Sequence, residues 1–448
     1  MVPSAIATLS RTGLLVENRR QDSDSPVLFV LPVVQSFMQQ QGRIGRDIQQ
    51  DIQLSCSQYI LDHDHQNGLS KIAAEDVNIQ AILFSSPTTQ HSNMLSDKII
   101  DALISFSWYR CNDAKPNLEI AKHAVSMAKA FGNTEYIASS LWCLGSTYSV
   151  LGEFYAAYDH VHEAYQLYNS LVPSPKWYNL RKGLLRRKNG PRVVTMSPGD
   201  RELPLLCCQC GIDMVDAARM TFKDRDKVVS LARDVEKQAA ILSDDDTHAR
   251  SLILLGSVLN NYGDPKEALR HLERAKLMGI GTLNSEIYYR IAIVHYQERR
   301  LPEALDAAKE AWKLSEPDND MVDQAQNSFV LGRILFSMNR DTEAMKYMEI
   351  SLTKNLELGN RRESARTLEY MGYGYLRRGD YLNAYNAYES AAESYRGTVD
   401  EEAGSTLCKD NMAKIKDKQK NPELNVGFER SRSDNNWPSL FYPGAASV

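Results

Sequence analysis

Two short stretches carry side chains of the kinds that bind metal ions. Asp62-His63-Asp64-His65 places four potential ligands side by side, and Cys207-Cys208-Gln209-Cys210 supplies three thiols. Neighbouring ligands in one turn seldom converge on a single ion, and zinc usually takes four ligands from two separated pairs. No second Cys or His pair lies at a suitable distance along the chain. We therefore predict no metal site, but a solvated turn for the first stretch and a buried helical face for the second.

Spacings that would indicate catalysis are also missing. His162-Glu163 lacks the second histidine of a zinc-protease helix, because Gln166 stands in its place. The sequence contains no Gly-Lys-Ser or Gly-Lys-Thr to cradle a triphosphate. It has no Gly-x-Ser-x-Gly elbow for a serine nucleophile, and no Gly-x-Gly-x-x-Gly after a strand for a dinucleotide. We expect a protein that is not an enzyme and that carries no cofactor.

The composition argues against two further classes of protein. The 448 residues carry a net charge of −5 with 24% charged residues, a balance that predicts no general attraction to nucleic acid or to an anionic membrane. No apolar run approaches the roughly 20 residues of a membrane-spanning helix, and the N-terminus lacks the pattern of a signal peptide. The seven cysteines are irregularly spaced, as is typical of reduced thiols. We expect a cytoplasmic protein with no membrane partner.

A regular spacing of small residues indicates the elements that would position a binding site. In residues 368–393, Gly372 lies on one helical face, and Ala384 follows twelve residues later on the face of a returning helix. The same interval recurs from Gly332 to Ala344, Ala292 to Ala304, Gly256 to Ala268, Gly145 to Ala157 and, in degenerate form, Tyr109 to Ala121. The pattern resembles the αα-hairpin of tetratricopeptide (TPR) repeats. The resemblance implies an all-α fold, a right-handed superhelix of hairpins.

In stacked hairpins of this type, the first helix of each unit lines a concave groove, and its outward positions can be counted from the small residue. These positions hold mainly Tyr, Phe, Arg and Asn, which dominate protein recognition or hydrogen-bond an extended peptide. The predicted protein-binding residues are Arg250, Asn260, Asn261, Glu286, Tyr289, Tyr296, Gln297, Phe329, Arg333, Arg366, Tyr373 and Arg377. The alternative is that several of them contact the neighbouring hairpin. The carboxylate clamp of chaperone-binding TPR proteins is absent, because Ile253 and Ser257 hold two of its positions.

The first 43 residues do not fit the repeat. Strand-like runs at 14–18 and 27–30 lie between helical stretches near 5–14 and 33–41, an order typical of the second half of a winged helix. A partial winged helix followed by a TPR array resembles the C-terminal region of fungal STAND-type (NACHT or NB-ARC) signalling NTPases. The resemblance implies a ligand-sensing arm that contacts an NTPase module, although the NTPase domain itself is absent from this sequence. Leu31 stands where the family often carries a nucleotide-contacting histidine.

The predicted organisation therefore has seven segments. They are a partial winged helix (1–43), a degenerate helix pair (44–90), TPR units (91–172), a basic insert (173–200), further TPR units (201–396), a capping helix (397–420) and a disordered tail (421–448). In the degenerate pair, helices at 47–61 and 69–84 are expected to bury Ile52 and Val77. Three functions stay open: a protein- or peptide-binding scaffold within a STAND-like protein, an independent TPR adaptor, or nucleic-acid binding through the winged helix or the basic insert.

Overall fold

The computed structural model describes residues 15–18, 27–30, 46–63, 69–84, 97–112, 116–172, 202–222, 224–242, 244–318, 321–398 and 400–421. The chain divides into two compact units. Unit 1 comprises residues 1–87 and 96–102, and unit 2 comprises residues 88–95 and 103–448.

Unit 1 contains a β-hairpin and a helix pair. Strand β1 (Leu15–Asn18) pairs antiparallel with β2 (Val27–Val30), with Leu15 opposite Val30. The strands lie where strand-like runs are predicted, but the flanking stretches 5–14 and 33–41 lie outside the described residues, so the winged helix stays a prediction. Helices α1 (Arg46–His63) and α2 (Leu69–Phe84) follow.

The core of the helix pair differs from the sequence expectation. Ile60, Ile72 and Ile79 are buried. The prediction that Ile52 and Val77 are buried is wrong, since their exposed fractions are 43% and 78%. Helical periodicity identifies an apolar face, but burial also requires a second surface against that face, and the described part of unit 1 provides none over these two side chains.

Unit 2 is a succession of antiparallel helices. Helix α3 (Asp97–Asn112) begins in unit 1 and continues into unit 2. The following helices are α4 (Leu118–Phe131), α5 (Thr134–Val150), α6 (Phe154–Leu171), α7 (Glu202–Thr221), α8 (Arg225–Leu242), α9 (Asp245–Asn261), α10 (Pro265–Leu277), α11 (Asn284–Gln297), α12 (Leu301–Asp318), α13 (Met321–Ser337), α14 (Asp341–Leu358), α15 (Arg361–Arg377), α16 (Tyr381–Ser394) and α17 (Glu401–Lys420). Each helix from α6 to α17 packs against the one before it. The predicted all-α solenoid of hairpins is confirmed.

The interval of twelve residues has a direct physical cause in the hairpins. A Cβ added to Gly256 would lie 2.9 Å from the Leu272 side chain and 3.1 Å from the Ala268 carbonyl oxygen. At Gly332 the corresponding obstacles are the side chain of Met348 and the carbonyl of Ala344. The two helices of a hairpin therefore approach so closely that only a small residue fits at the crossing point.

Side-chain caps begin several of the helices. Asn133 and Asn360 accept hydrogen bonds from backbone N–H groups in the first turns of α5 and α15. The preceding helices end at Gly132 (φ 84°) and Gly359 (φ 74°), which adopt the left-handed conformation that glycine tolerates. The paired Gly-Asn signals of the sequence thus end one helix and begin the next.

The last helix covers the end of the array. Cys408 and Ile415 of α17 are buried against Tyr388 and Tyr395, which belong to the α16 region. This helix lies in the segment for which a capping helix is predicted, and it removes apolar surface of α16 from water. No helix in the described ranges combines the length and apolar character needed to cross a membrane.

Candidate functional site

The first helices of successive hairpins lie side by side in unit 2. Helix α9 contacts α11, α11 contacts α13, and α13 contacts α15. We call the surface built by these helices, together with α7, the concave face. The twelve predicted residues belong to these helices: Arg250, Asn260 and Asn261 to α9, Glu286, Tyr289, Tyr296 and Gln297 to α11, Phe329 and Arg333 to α13, and Arg366, Tyr373 and Arg377 to α15.

Arg333 lies at the centre of an aromatic cage. Its guanidinium carbon is 5.1 Å from the ring centroid of Tyr296, 5.1 Å from that of Tyr370 and 5.7 Å from that of Phe329. Only 1% of Arg333 is exposed. Because the rings come from α11, α13 and α15, the cation joins three hairpins through interactions with ring faces. Tyr370 lies between the outward positions counted from Gly372, and so the sequence analysis missed it.

Arg366 forms the next contact along α15. Two hydrogen bonds of 2.7 and 2.8 Å join its guanidinium to the carboxylate of Glu363, and the same guanidinium lies 5.0 Å from the Phe329 ring centroid. Burial alone would raise the pKa of Glu363, but the positive charges of Arg366 and Arg362 outweigh it and hold that pKa below its usual value. The carboxylate therefore stays ionised inside the fold.

Arg377 and Tyr296 contact neighbouring hairpins, as the alternative interpretation anticipates. Arg377 donates hydrogen bonds to the Phe336 carbonyl oxygen (2.9 Å) and to Oδ1 of Asn339 (2.8 Å). The hydroxyl groups of Tyr296 and Ser337 lie 3.0 Å apart. These polar contacts tie the first helix of one hairpin to the next along the concave face.

A mixed-charge cluster lies at the other end of the same helices. On α7, Arg219 donates a 2.6 Å hydrogen bond to Asp216, and on α11, Arg290 donates one of 3.0 Å to Glu286. Burial raises the pKa of Tyr289. The charges of Glu363 and Arg366 on α15 and of Arg219 on α7 also act on this hydroxyl group. Charged side chains of α7 and α15 therefore lie close enough to Tyr289 of α11 to interact with it electrostatically. The cluster keeps contact with solvent, since the Asp216 side chain is 33% exposed.

Helix α7 was missed as part of the site. The predicted residues come from hairpins in which a small residue is followed by another twelve positions later. Helix α7 does not contain the first residue of any of the pairs identified in the sequence. Its polar residues Asp213, Asp216 and Arg219, at intervals of three, were the available signal. Arg250, in contrast, was included, and its side chain bonds Asp246 (2.7 Å) in an exposed position.

Three amide side chains mark the ends of α9 and α11. Asn260 and Asn261 are only 4% and 3% exposed. One amide atom of each, and one of Gln297, is buried without a hydrogen-bond partner among the residues that the structure describes. Buried polar groups are nearly always paired, because an unpaired one loses its hydration without compensation. These three amide atoms therefore lack the hydrogen bonds that usually offset the cost of burial.

Of the two stretches considered for metal binding, only the Cys207–Cys210 stretch lies wholly within the described residues. Within the described ranges, no group of three or more His, Cys, Asp or Glu side chains converges as ligands would. Cys207, Cys208 and Cys210 are buried, and the Cys208 and Cys210 thiols face carbonyl oxygens of Val235 and Val161. Burial raises the pKa of the Cys207 thiol to about 12, so it is protonated at neutral pH. The second stretch is thus a buried helical face, as predicted.

Several predicted features cannot be placed. The basic insert (173–200), residues 64–68 with half of the Asp-His stretch, and residues 422–448 of the predicted tail lie outside the described residues. The interpretations of the insert and the winged helix as nucleic-acid contacts therefore stay predictions.

Comparison with known proteins gives only distant similarities to solved structures. No family model and no curated protein matches this chain. Among solved structures, a Rap protein complexed with Competence and Sporulation Factor is 12% identical, over 82% of this chain and 98% of its own, with a TM-score of 0.46. Aspartyl phosphate phosphatase F from Bacillus subtilis is 13% identical, over 80% of this chain and 96% of its own, with a TM-score of 0.44. A chain of the APC/C hetero-tetramer Cut9-Hcn1 is 13% identical, over 77% of this chain and 66% of its own, with a TM-score of 0.37.

At these identities and TM-scores the similarity transfers no residue role and no ligand to this chain. The hairpin geometry of unit 2 itself, with its glycine crossing points and its adjoining first helices, defines a TPR-like helical-repeat protein.

Proposed function

We propose that this protein is a non-catalytic scaffold that binds a protein or peptide ligand on the concave face of unit 2. The observation that carries the proposal is the set of unpaired amide atoms on Asn260, Asn261 and Gln297. An extended peptide presents alternating N–H and C=O groups, which are the partners that such amides lack. The twelve residues predicted from the sequence are the proposed contact residues or their immediate supports.

The rest of the concave face supports the same type of ligand. Tyr289 and Tyr373 are half-buried, so their rings offer apolar contact area at a small cost in side-chain entropy. In the mixed-charge cluster the Asp216 and Glu286 side chains are each 33% exposed, so their carboxylates offer hydrogen-bond acceptors to a polar peptide.

The experiment is a selection from a displayed library of unstructured twelve-residue peptides against the full chain. The affinity of a selected peptide is then measured by fluorescence anisotropy. Asn261→Leu keeps the branched shape of the side chain and removes the amide, so we expect affinity to fall by about tenfold or more. Stability should stay the same or rise, because an unpaired buried amide is removed. Asn383→Leu, at an exposed position on α16, is the matched control and should change affinity less than about twofold. Equal affinity of both variants would exclude the concave face as the site.

A finer proposal concerns whether this scaffold is part of a larger signalling protein or acts as an independent adaptor. The β1–β2 hairpin before the helical array fits the resemblance to STAND-type signalling proteins, in which a repeat arm senses a ligand and contacts an NTPase module. In either setting we expect the protein in the cytoplasm. The transcript of the source cell decides between the settings. A P-loop NTPase reading frame continuous with Met1 is the expected result, and a stop codon directly upstream would instead identify an independent TPR adaptor.

A further inference from the structure

Two turns that are far apart in sequence meet in unit 2. The side-chain Nδ2 of Asn360 donates a hydrogen bond of 2.7 Å to the carbonyl oxygen of Val150, 210 residues earlier. Beside it, the guanidinium of Arg362 lies 5.2 Å from the ring centroid of Phe154. We call this meeting of residues 150–154 with residues 359–362 the closure contact.

The closure contact depends on a close approach of the two backbones. Gly152 has φ +83°, and a Cβ built there would lie 3.0 Å from both Oδ1 of Asn360 and Cβ of Arg362. A side chain at position 152 would therefore be strained and would collide with the opposite turn. A Cβ built on Gly359 would lie 3.7 Å from the Leu151 Cδ2 atom, an ordinary van der Waals contact that shows the two turns are adjacent.

The groups on the α15 side are held in position by other bonds. Oδ1 of Asn360 caps α15 by accepting a hydrogen bond from the Glu363 backbone N–H (3.1 Å), which leaves Nδ2 pointing at Val150. Arg362 is buried and donates hydrogen bonds to Asp400 (2.6 Å) and Glu363 (2.7 Å). The contact is thus made by fixed side chains, which lose little conformational entropy when the turns meet.

The closure contact changes how the concave face can be reached. The helices from α5 to α15 pack in unbroken succession, and the closure contact joins the two ends of that succession. The helices therefore form a closed turn, and the concave face lies on its inner side. A ligand cannot reach this face from the side while Asn360 and Val150 are bonded.

We infer that the concave face accepts a linear peptide that enters by a free end, and that it excludes a segment held at both ends by folded domains. This inference rests on the proposed function. An extended chain is narrow enough to enter along the axis of a closed turn, whereas a folded domain at each end prevents entry from either direction. The kind of partner that fits is therefore a peptide or an unfolded terminus, and an internal loop of a globular protein does not fit.

The test uses the selected peptide in four forms: free, fused to a compact folded carrier at its N-terminus only, at its C-terminus only, and at both termini. We expect the free and singly fused forms to bind the full chain with similar affinity, and the doubly fused form to bind at least tenfold more weakly. Binding of the doubly fused form as tight as that of the free peptide would overturn the inference.

The closure contact is tested by Asn360→Asp. The aspartate keeps the oxygen that caps α15 and replaces the amide donor by a carboxylate that repels the Val150 carbonyl. The doubly fused peptide should then bind within about threefold of the free peptide. Asn133→Asp, at an exposed cap of α5, is the matched control and should leave the exclusion unchanged. Gly152→Val is a second opening variant, since its side chain collides with residues 360 and 362. If the doubly fused peptide still bound at least tenfold more weakly than the free peptide in both Asn360→Asp and Gly152→Val, the inference would be overturned.

A spin-label measurement separates this inference from the proposed function, because it needs no peptide. Labels on Tyr155→Cys and Leu356→Cys occupy exposed positions on α6 and α14, and the seven native cysteines are buried. We expect one narrow distance distribution in the doubly labelled protein and a longer, broader one after Asn360→Asp. An unchanged distribution in both opening variants would remove the closure contact as a barrier, even if the selected peptide binds.

Discussion

The indole nitrogen of Trp142 donates a 2.7 Å hydrogen bond to Oδ2 of Asp213, which joins α5 to α7 inside unit 2. The Ser146 hydroxyl donates a second bond of 3.3 Å to the same oxygen. Burial and, to a lesser extent, the negative charge of Asp216 raise the pKa of Asp213 to about 6, although the two hydrogen bonds act to lower it. One turn later on α7, the pKa of Asp216 is lowered, because Arg219 and Arg290 outweigh its own burial.

We predict that Asp213→Asn stabilises the protein at pH 7. A carboxyl group whose pKa is raised on folding contributes stability below its unfolded pKa near 3.9, and that contribution is lost as pH rises through about 6. Asparagine keeps an oxygen that can accept from Trp142 and Ser146 but cannot ionise. Urea titrations at pH 4 to 7.5 should show wild-type stability falling by up to about 3 kcal/mol from this group, and the variant should lack that fall.

Asp216→Asn is the matched control for the pH dependence, because the pKa of Asp216 is shifted in the opposite direction to that of Asp213. The lowered pKa of Asp216 means that its contribution is present above the unfolded pKa and is lost as pH falls. Asparagine at this position should lower stability at pH 7 by weakening the bond to Arg219. If both variants shifted stability in the same direction at pH 7, the assignment of opposite environments on α7 would be wrong.

The aromatic cage predicts that the charge at position 333 matters for stability. Arg333→Glu places a buried anion against the negative faces of three rings, and we expect a loss of about 3 kcal/mol or more in the free energy of unfolding. Arg333→Met retains the length and an attractive contact between sulfur and the rings, so its loss should be clearly smaller. Urea unfolding of the two variants is the measurement. Wild-type stability of Arg333→Glu would contradict the cage.

The hairpin crossing points predict a position-specific cost of a methyl group. A Cβ at Gly145 would lie 3.0 Å from the Ala157 carbonyl oxygen and 3.0 Å from the Val161 backbone nitrogen, which cannot move without shifting α6. Gly145→Ala should therefore cost about 1–3 kcal/mol of stability. Gly281→Ala is the control, since a Cβ there meets nothing within 4 Å, and it should change stability by less than about 0.5 kcal/mol. Equal effects would show that backbone entropy, and not the crossing, governs these glycines.

The cysteines predict slow thiol chemistry. All seven are buried, and burial raises the thiol pKa of Cys56 to about 11 and of Cys208 to about 12. Since the thiolate is the reactive form, a disulfide reagent such as Ellman's reagent should label no thiol rapidly in the native protein at pH 8 and should label all seven in guanidinium chloride. A native thiol that reacts within seconds would reveal a local opening of the fold.

The sequence by itself determined the hairpins. The interval from Gly256 to Ala268, or from Gly332 to Ala344, reports a contact between two helices joined by a short turn, and the turn length fixes that contact within one stretch of chain. The Gly-Asn pairs at 132–133 and 359–360 end one helix and begin the next through equally local contacts. These spacings also placed the twelve predicted residues on first helices.

Only the tertiary structure decided which side chains meet across the array. The cage of Arg333 includes Tyr370, the mixed-charge cluster includes Asp216 of α7, and Asn360 bonds Val150. Each contact depends on the rotation between successive hairpins, summed over several units, and no local spacing encodes that sum. The burial of Asn261, which carries the proposed function, also depends on tertiary structure: the face of its helix follows from periodicity, but its burial requires the neighbouring helices that pack against α9.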